Sequence, residues 1–169
     1  MGVNDLTKMS EVNRELYMKV LEKLVNRKIF GCFQCSRCTG GCTAFKILEL
    51  TPNTVMKLVR LGFINELINS GIIWTCASCL QCTERCPQRA SPYHVIIALR
   101  NIAVERQAKI PEDYLKAITQ ILETGLMQAP EKVTTKKMET FDRERLNLPK
   151  IKGPSDEFKA IFMQVLGGI

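Results

Sequence analysis

The chain contains few of the residues from which most catalytic and nucleotide-binding sites are built. Its 169 residues include one histidine, His94, and one tryptophan, Trp74. It has no G-x-G-x-x-G and no G-x-x-x-x-G-K-[ST], so neither a dinucleotide-binding turn nor a P-loop is written into it. No Ser/His/Asp set or carboxylate constellation can be placed around a pocket, and no catalytic residue is assigned. No apolar run approaches the roughly 18 residues of a membrane span. The opening MGVNDLTKMS lacks the basic-then-apolar pattern of a secretion signal. The expectation is a cytoplasmic protein with no membrane span. Lys and Arg outnumber Asp and Glu to give a formal charge of +7, but they are scattered rather than gathered into the stripe that nucleic acid requires, so no nucleic-acid partner is expected.

Cysteine is what the chain has in quantity. All eight cysteines fall in two stretches, CFQCSRCTGGC and CASCLQCTERCP, whose first residues, Cys32 and Cys76, lie 44 apart. Each stretch is C-x2-C-x2-C-x3-C: Cys32, Cys35, Cys38, Cys42, then Cys76, Cys79, Cys82, Cys86. Two-residue gaps let three successive thiolates surround one compact inorganic centre while the intervening N–H groups turn inward. The fourth cysteine, one residue further on, points away.

Disulfides would need an oxidising compartment, against which the missing signal argues. Zinc knuckles supply two separated C-x2-C pairs rather than a tight trio plus one. Eight free buried thiols at duplicated spacing would be coincidence. Two [4Fe-4S] clusters fit the pattern, and with a charge of roughly −2 on each they would lower the net charge to roughly +3. In two-cluster ferredoxins of this spacing, the last cysteine of each run ligates the other cluster. That likeness implies one cluster on Cys32, Cys35, Cys38 and Cys86, and the other on Cys76, Cys79, Cys82 and Cys42. Crossed ligation would close a long loop, so the cysteine region should be largely disordered without metal.

Around these runs the periodicity is helical. Val12, Leu16, Val20 and Leu24, with Tyr17, Leu21 and Val25, form one stripe of a helix over 10–26 with Ser10 as its cap. After Cys42 a helix is expected over 43–50. Thr51-Pro52 then starts one that stops at Gly62, and a short one follows over 63–69, before Gly71. Ser91-Pro92 repeats the start signal for a helix to about Gln107, and TPNTV against SPYHV extends a weak two-fold repeat. Pro111 opens a helix over 112–124, ended by Gly125. From 128 the chain is charged and Pro-bearing, an arm that ends in an amphipathic helix capped by Ser155.

Several neighbours could tune the clusters. Arg37, Lys46, Arg85 and Arg89 flank the runs, though ordinary solvated positions account for them better. Pro87 matches the C-x3-C-P ending, whereas Thr43 follows Cys42, so the two sites need not share a potential. Trp74 reads first as core, and His94 as a surface or capping residue.

The helix before the first run, together with GCFQCSRCTGGC and WTCASCLQCTERCPQ, resembles the alpha-helical ferredoxins, the group that includes iron-sulfur domains of succinate dehydrogenase and glycolate oxidase. Within that group the resemblance is nearest to the C subunits of CoB-CoM heterodisulfide reductases of methanogens, over about residues 10–125. It implies an all-α domain over 1–127, an alpha-helical ferredoxin with two cubane clusters bound in loops between helices. Residues 128–169 are then a charged linker and a C-terminal helix that docks on a partner.

The resemblance further implies an oxidoreductase subunit that relays electrons from a flavin-containing iron-sulfur subunit to a disulfide-reducing subunit of the same complex. It implies a place in methanogenesis, indirect association with a hydrogenase or formate dehydrogenase, and flavin-based electron bifurcation. Disulfide-reducing subunits carry adjacent Cys-Cys pairs, and this sequence has none, so the substrate site is expected on another chain. Relay subunits of sulfur-metabolising and acetogenic complexes fit the same motifs. A protein with purely structural clusters, or a metal-held nucleic-acid binder, is separated from these by reversible reduction or by salt-dependent nucleic-acid affinity.

Overall fold

A computed structural model describes residues 12–24, 28–45, 51–128 and 130–167. Two compact units divide it, residues 1–110 and residues 111–169. Helix α1 spans Arg14–Lys23, and its first free N–H groups are served by Asn13, whose side chain accepts the Leu16 N–H at 2.9 Å. The helix therefore starts later than a Ser10 cap predicts, because asparagine caps as well as serine and stands nearer the buried stripe. Ser10 and the helix expected over 43–50 lie largely outside the described residues.

A 3-10 turn at Lys28–Gly31 leads into the first cysteine run, whose later part is the one-turn helix α2, Arg37–Gly40. Helix α3, Pro52–Leu61, starts at the Thr51-Pro52 signal and ends where Gly62 turns left-handed at φ +86°. There the N–H of Phe63 reaches back to the Leu58 carbonyl, and such a C-terminal turn suits glycine, which has no Cβ penalty. Helix α4, Ile64–Asn69, follows, then a 3-10 turn at Ile72–Thr75 and α5, Gln81–Glu84, in the second run. Helix α6, Pro92–Glu105, closes the unit.

Helices α1, α3 and α4 all pack on α6. Leu16, Val20, Met56, Val59, Ile64, Leu67, Val95 and Leu99 are fully enclosed at that junction. Helix α6 is covered on nearly every side, since Val95, Ile96, Ala98, Leu99, Ile102 and Ala103 are all buried. Arg100 is the one charged residue among those α6 buries. Against this frame α2 packs on α3 and on α5, and α5 packs on α6, so the two cysteine runs are held back to back over the helical core.

In the second unit α7, Glu112–Thr124, begins after Pro111 and ends at Gly125, φ +76°, as its signals predict. Beyond it the arm makes a small antiparallel hairpin, β1 Val133–Thr134 with β2 Thr140–Phe141, pairing Val133 with Phe141 and Thr134 with Thr140. The periodicity does not foresee these strands, since two residues cannot show alternation. Helix α8, Asp156–Gly167, is capped by Ser155, whose hydroxyl accepts the Phe158 N–H at 3.3 Å. Among the described residues no helix is long and apolar enough to cross a membrane.

Candidate metal centre

The duplication seen in the spacing is a duplication of backbone. Gln34 and Ser36 flank Cys35 with φ of 56° and 60°, and Ser78 and Leu80 flank Cys79 with φ of 54° and 62°. Left-handed conformations at non-glycine residues cost roughly 1–2 kcal/mol each, so the same four outliers at the same places call for a common cause. Alternating right- and left-handed residues turn successive N–H groups to one side, making a nest for an anionic group, the kind found at iron-sulfur sites.

The hydrogen bonds repeat as well. The N–H groups of Thr39, Gly40, Gly41 and Cys42 bond back to Ser36, Ser36, Arg37 and Thr39. Those of Thr83, Glu84, Arg85 and Cys86 bond to Leu80, Leu80, Gln81 and Thr83. Burial follows the same order: Cys35 and Cys79 are exposed, Cys38 and Cys82 buried, and the other four intermediate.

Each run contributes to two cavities. The first is lined by Cys32, Cys35 and Cys38 together with Cys86. The second is lined by Cys76, Cys79 and Cys82 together with Cys42. The fourth cysteine of each run thus faces the neighbouring run's cavity. This exchange follows from α2 packing on α5, and the approach is close: a Cβ added at Gly41 would overlap the Arg85 side chain.

The two cradles are lined by different residues, though the surface facing each is largely apolar. Gln34, Ser36, Arg37, Asn53 and Gln88 stand around the first. Pro52, Val55, Ile72, Ile73 and Ile96 stand around the second. Asn53, in the first turn of α3, fastens the first loop: its amide donates to Ser36 Oγ at 3.1 Å, and its carboxamide oxygen accepts from the Thr39 hydroxyl. Sulfur atoms accept bonds in both cradles, from Gln34 Nε2 to Cys32 Sγ at 3.4 Å, from Ala90 N to Cys86 Sγ at 3.2 Å, and from the Thr43 hydroxyl to Cys79 Sγ at 3.5 Å.

Electrostatics separates the thiols by depth. Burial pushes the Cys82 thiol up to about 11, with the Tyr93 backbone N–H at the start of α6 pulling the other way. Burial likewise raises Cys38. The Thr43 hydroxyl and the Gln81 N–H hold Cys79 below its ordinary value. A buried thiol gives up its proton only against a compensating cation, as metal binding supplies. Among the described residues no three His, Cys, Asp or Glu side chains converge closely enough to share a single ion. A lone zinc ion would draw its sulfurs to about 2.3 Å. Four cysteines around each cavity, with left-handed residues flanking the second of each run, instead fit a polynuclear cluster with a thiolate at each corner.

Of the other residues singled out by sequence, Arg37, Arg85 and Arg89 are exposed, and Lys46 lies outside the described residues. Trp74 is buried at 9% exposure, with the Arg100 guanidinium 5.4 Å from its ring. His94 is exposed against Tyr93, away from any sulfur contact. Sequence reading misses Arg60 and Arg100, which donate to the carbonyls of Cys32 and Cys76. Their signal was present: carrying TPNTV and SPYHV on five residues gives TPNTVMKLVR and SPYHVIIALR, both ending in arginine.

Residues 11–91, which span both cysteine runs, match the family model of the 4Fe-4S dicluster domain. The chain is 35% identical over 106 residues to the second iron-sulfur C subunit of the CoB-CoM heterodisulfide reductase of Methanocaldococcus jannaschii, covering 59% of this chain and 56% of that protein. It is 31% identical to the C subunit of the H(2):CoB-CoM heterodisulfide,ferredoxin reductase of Methanothermobacter thermautotrophicus, covering 44% of this chain and 40% of the relative. It is 28% identical to the C subunit of the ferredoxin:CoB-CoM heterodisulfide reductase of Methanosarcina mazei, covering 74% and 76%. The chain spans about half the length of the first of these relatives. With a helical fold, a match to the dicluster domain over residues 11–91 and these relatives, the chain is similar to the iron-sulfur C subunits of CoB-CoM heterodisulfide reductases.

Proposed function

We propose that this chain is the electron-transfer subunit of a heterodisulfide reductase complex, holding one [4Fe-4S] cluster on Cys32, Cys35, Cys38 and Cys86 and another on Cys76, Cys79, Cys82 and Cys42. The observation that carries this reading is the pair of cavities, each lined by three cysteines of one run and the fourth of the other. A bound cluster supplies reversible one-electron chemistry at a potential set by hydrogen bonds, charge and solvent exposure.

The chain's own residues do the rest. Left-handed residues flank Cys35 and Cys79, Asn53 fastens the first loop, and apolar side chains line the second cradle beneath its exposed edge. The exposed Cys35 and Cys79 give each cradle one edge at the surface.

On this reading electrons arrive from a flavin-containing iron-sulfur subunit and leave to a disulfide-reducing subunit in the cytoplasm. Relatives named for H(2) or formate support an indirect link to a hydrogenase or formate dehydrogenase, and with it flavin-based electron bifurcation. The absence of an adjacent Cys-Cys pair favours placing the reduction of the CoM-S-S-CoB disulfide on another chain. Residues 128–169 serve as the docking arm, supported by Phe158, Ile161 and Met163, which remain 51%, 61% and 60% exposed on α8.

Redox titration of the purified protein tests the reading. Two reversible one-electron reductions per chain, with about eight irons and matching acid-labile sulfide, are expected. Zinc in place of iron, or clusters that cannot be cycled, would overturn it.

A further inference from the structure

The internal repeat extends beyond the cysteines to a pair of arginines. Pro52 and Pro92 open α3 and α6, and the eighth residue after each is an arginine, Arg60 and Arg100. Each reaches the first cysteine of one run: Arg60 Nη1 donates to the Cys32 carbonyl at 2.9 Å, and Arg100 Nη2 to the Cys76 carbonyl at 2.7 Å. Bonding the carbonyl fixes the ligand's backbone while leaving its sulfur free.

The equivalence ends at burial. Arg60 is exposed, whereas Arg100 is 8% exposed. Arg100 also donates from Nε to the Ile73 carbonyl at 2.9 Å, from Nη2 to the Trp74 carbonyl at 3.4 Å, and from Nη1 to Ser78 Oγ at 3.5 Å. Its guanidinium therefore ties the 3-10 turn before the second run to the left-handed residue inside it. The counterpart of buried Trp74 in the first run is Phe30, which is 57% exposed.

A guanidinium keeps its charge at every pH the protein meets. A charge inside the fold acts several-fold more strongly on its neighbours than one screened at the surface. Reduction adds a negative charge within the cradle, so a fixed positive charge beside it favours the reduced form. We infer that Arg60 and Arg100 are paired positioning residues for the first cysteine of each run, and that the buried charge of Arg100 raises the reduction potential of the second cradle's centre. Arg60, exposed, positions without comparable tuning. This inference rests on the cluster reading above.

The test is a redox titration of the full-length, cluster-loaded chain, followed by electron paramagnetic resonance and visible absorption, with Arg100→Gln, Arg100→Lys and Arg60→Gln. Arg100→Gln is expected to move one of the two midpoints to a more negative potential and leave the other in place. Arg100→Lys should bring it most of the way back, because lysine keeps the charge, and Arg60→Gln should move either midpoint by less. Should Arg100→Gln lose one centre, a loaded Arg100→Lys with wild-type midpoints still supports the role. Unshifted midpoints in a fully loaded Arg100→Gln, or an equal shift from Arg60→Gln, overturn it. A wild-type chain with about eight irons alongside unshifted variants sinks this inference alone. A wild-type chain that takes up zinc sinks the cluster reading as well.

Discussion

At the scale of single residues, the eight cysteines divide into two sets by position in their runs. Cys42 and Cys86 each line the cavity of the other run. Crossed sets make a prediction that uncrossed sets cannot. Cys42→Ser combined with Cys79→Ser should leave about four irons, as either single variant does, because both remove the same cluster. Cys42→Ser combined with Cys35→Ser should leave almost none. Iron and sulfide assays on the four proteins decide it, and about four irons in the second pair would return Cys42 to its own run's cluster.

The cap at Asn13 is a simpler matter. Losing its bond to Leu16 N should cost about 1 kcal/mol. Thermal unfolding of Asn13→Ala by circular dichroism measures this, and an unchanged midpoint would count against the cap.

Among elements, start and stop signals act over a few residues and were legible in advance. Thr51-Pro52 to Gly62, Ser91-Pro92 onward, and Pro111 to Gly125 each bound a helix where expected, since the fixed φ of proline and left-handed glycine turns depend on local chain geometry, although neither Thr51 nor Ser91 caps its helix through its side chain. The hairpin of β1 and β2 was not legible, because its pairing is settled between segments rather than within one.

The arm holds a second non-local feature. A Cβ on Gly125 would stand 2.8 Å from the Lys152 carbonyl, and one on Gly153 would stand 2.8 Å from the Glu123 carbonyl. Two glycines thus let the end of α7 and residues 151–153 meet backbone to backbone. Gly125→Ala adds left-handed strain to that clash and should destabilise the second unit by about 1 kcal/mol or more. Faster proteolysis within 128–155 is the expected sign, and protection equal to wild type would show that the contact does not hold the arm.

For the molecule as a whole, the fully enclosed side chains at the junction of α1, α3, α4 and α6 are apolar and not cysteines, and of the cysteines only Cys38 and Cys82 are buried. Removal of iron should therefore melt part of the fold rather than all of it. After chelation, circular dichroism should retain much of its helical signal, while cleavage appears in residues 31–42 and 75–90. An apoprotein as protected in those stretches as the holoprotein would mean that the loops hold their strained backbone without metal.

The eight candidate ligand cysteines and the helical class were legible in the sequence alone, because thiolate spacing and helical periodicity are properties of neighbours in the chain. Tertiary structure decided which cavity Cys42 and Cys86 line, that Arg60 and Arg100 grip the two runs alike, and that only one of those charges is buried. Those outcomes depend on how α2 meets α5 and how deeply α6 lies in the core, and burial is set by residues far apart in sequence, which no local pattern records.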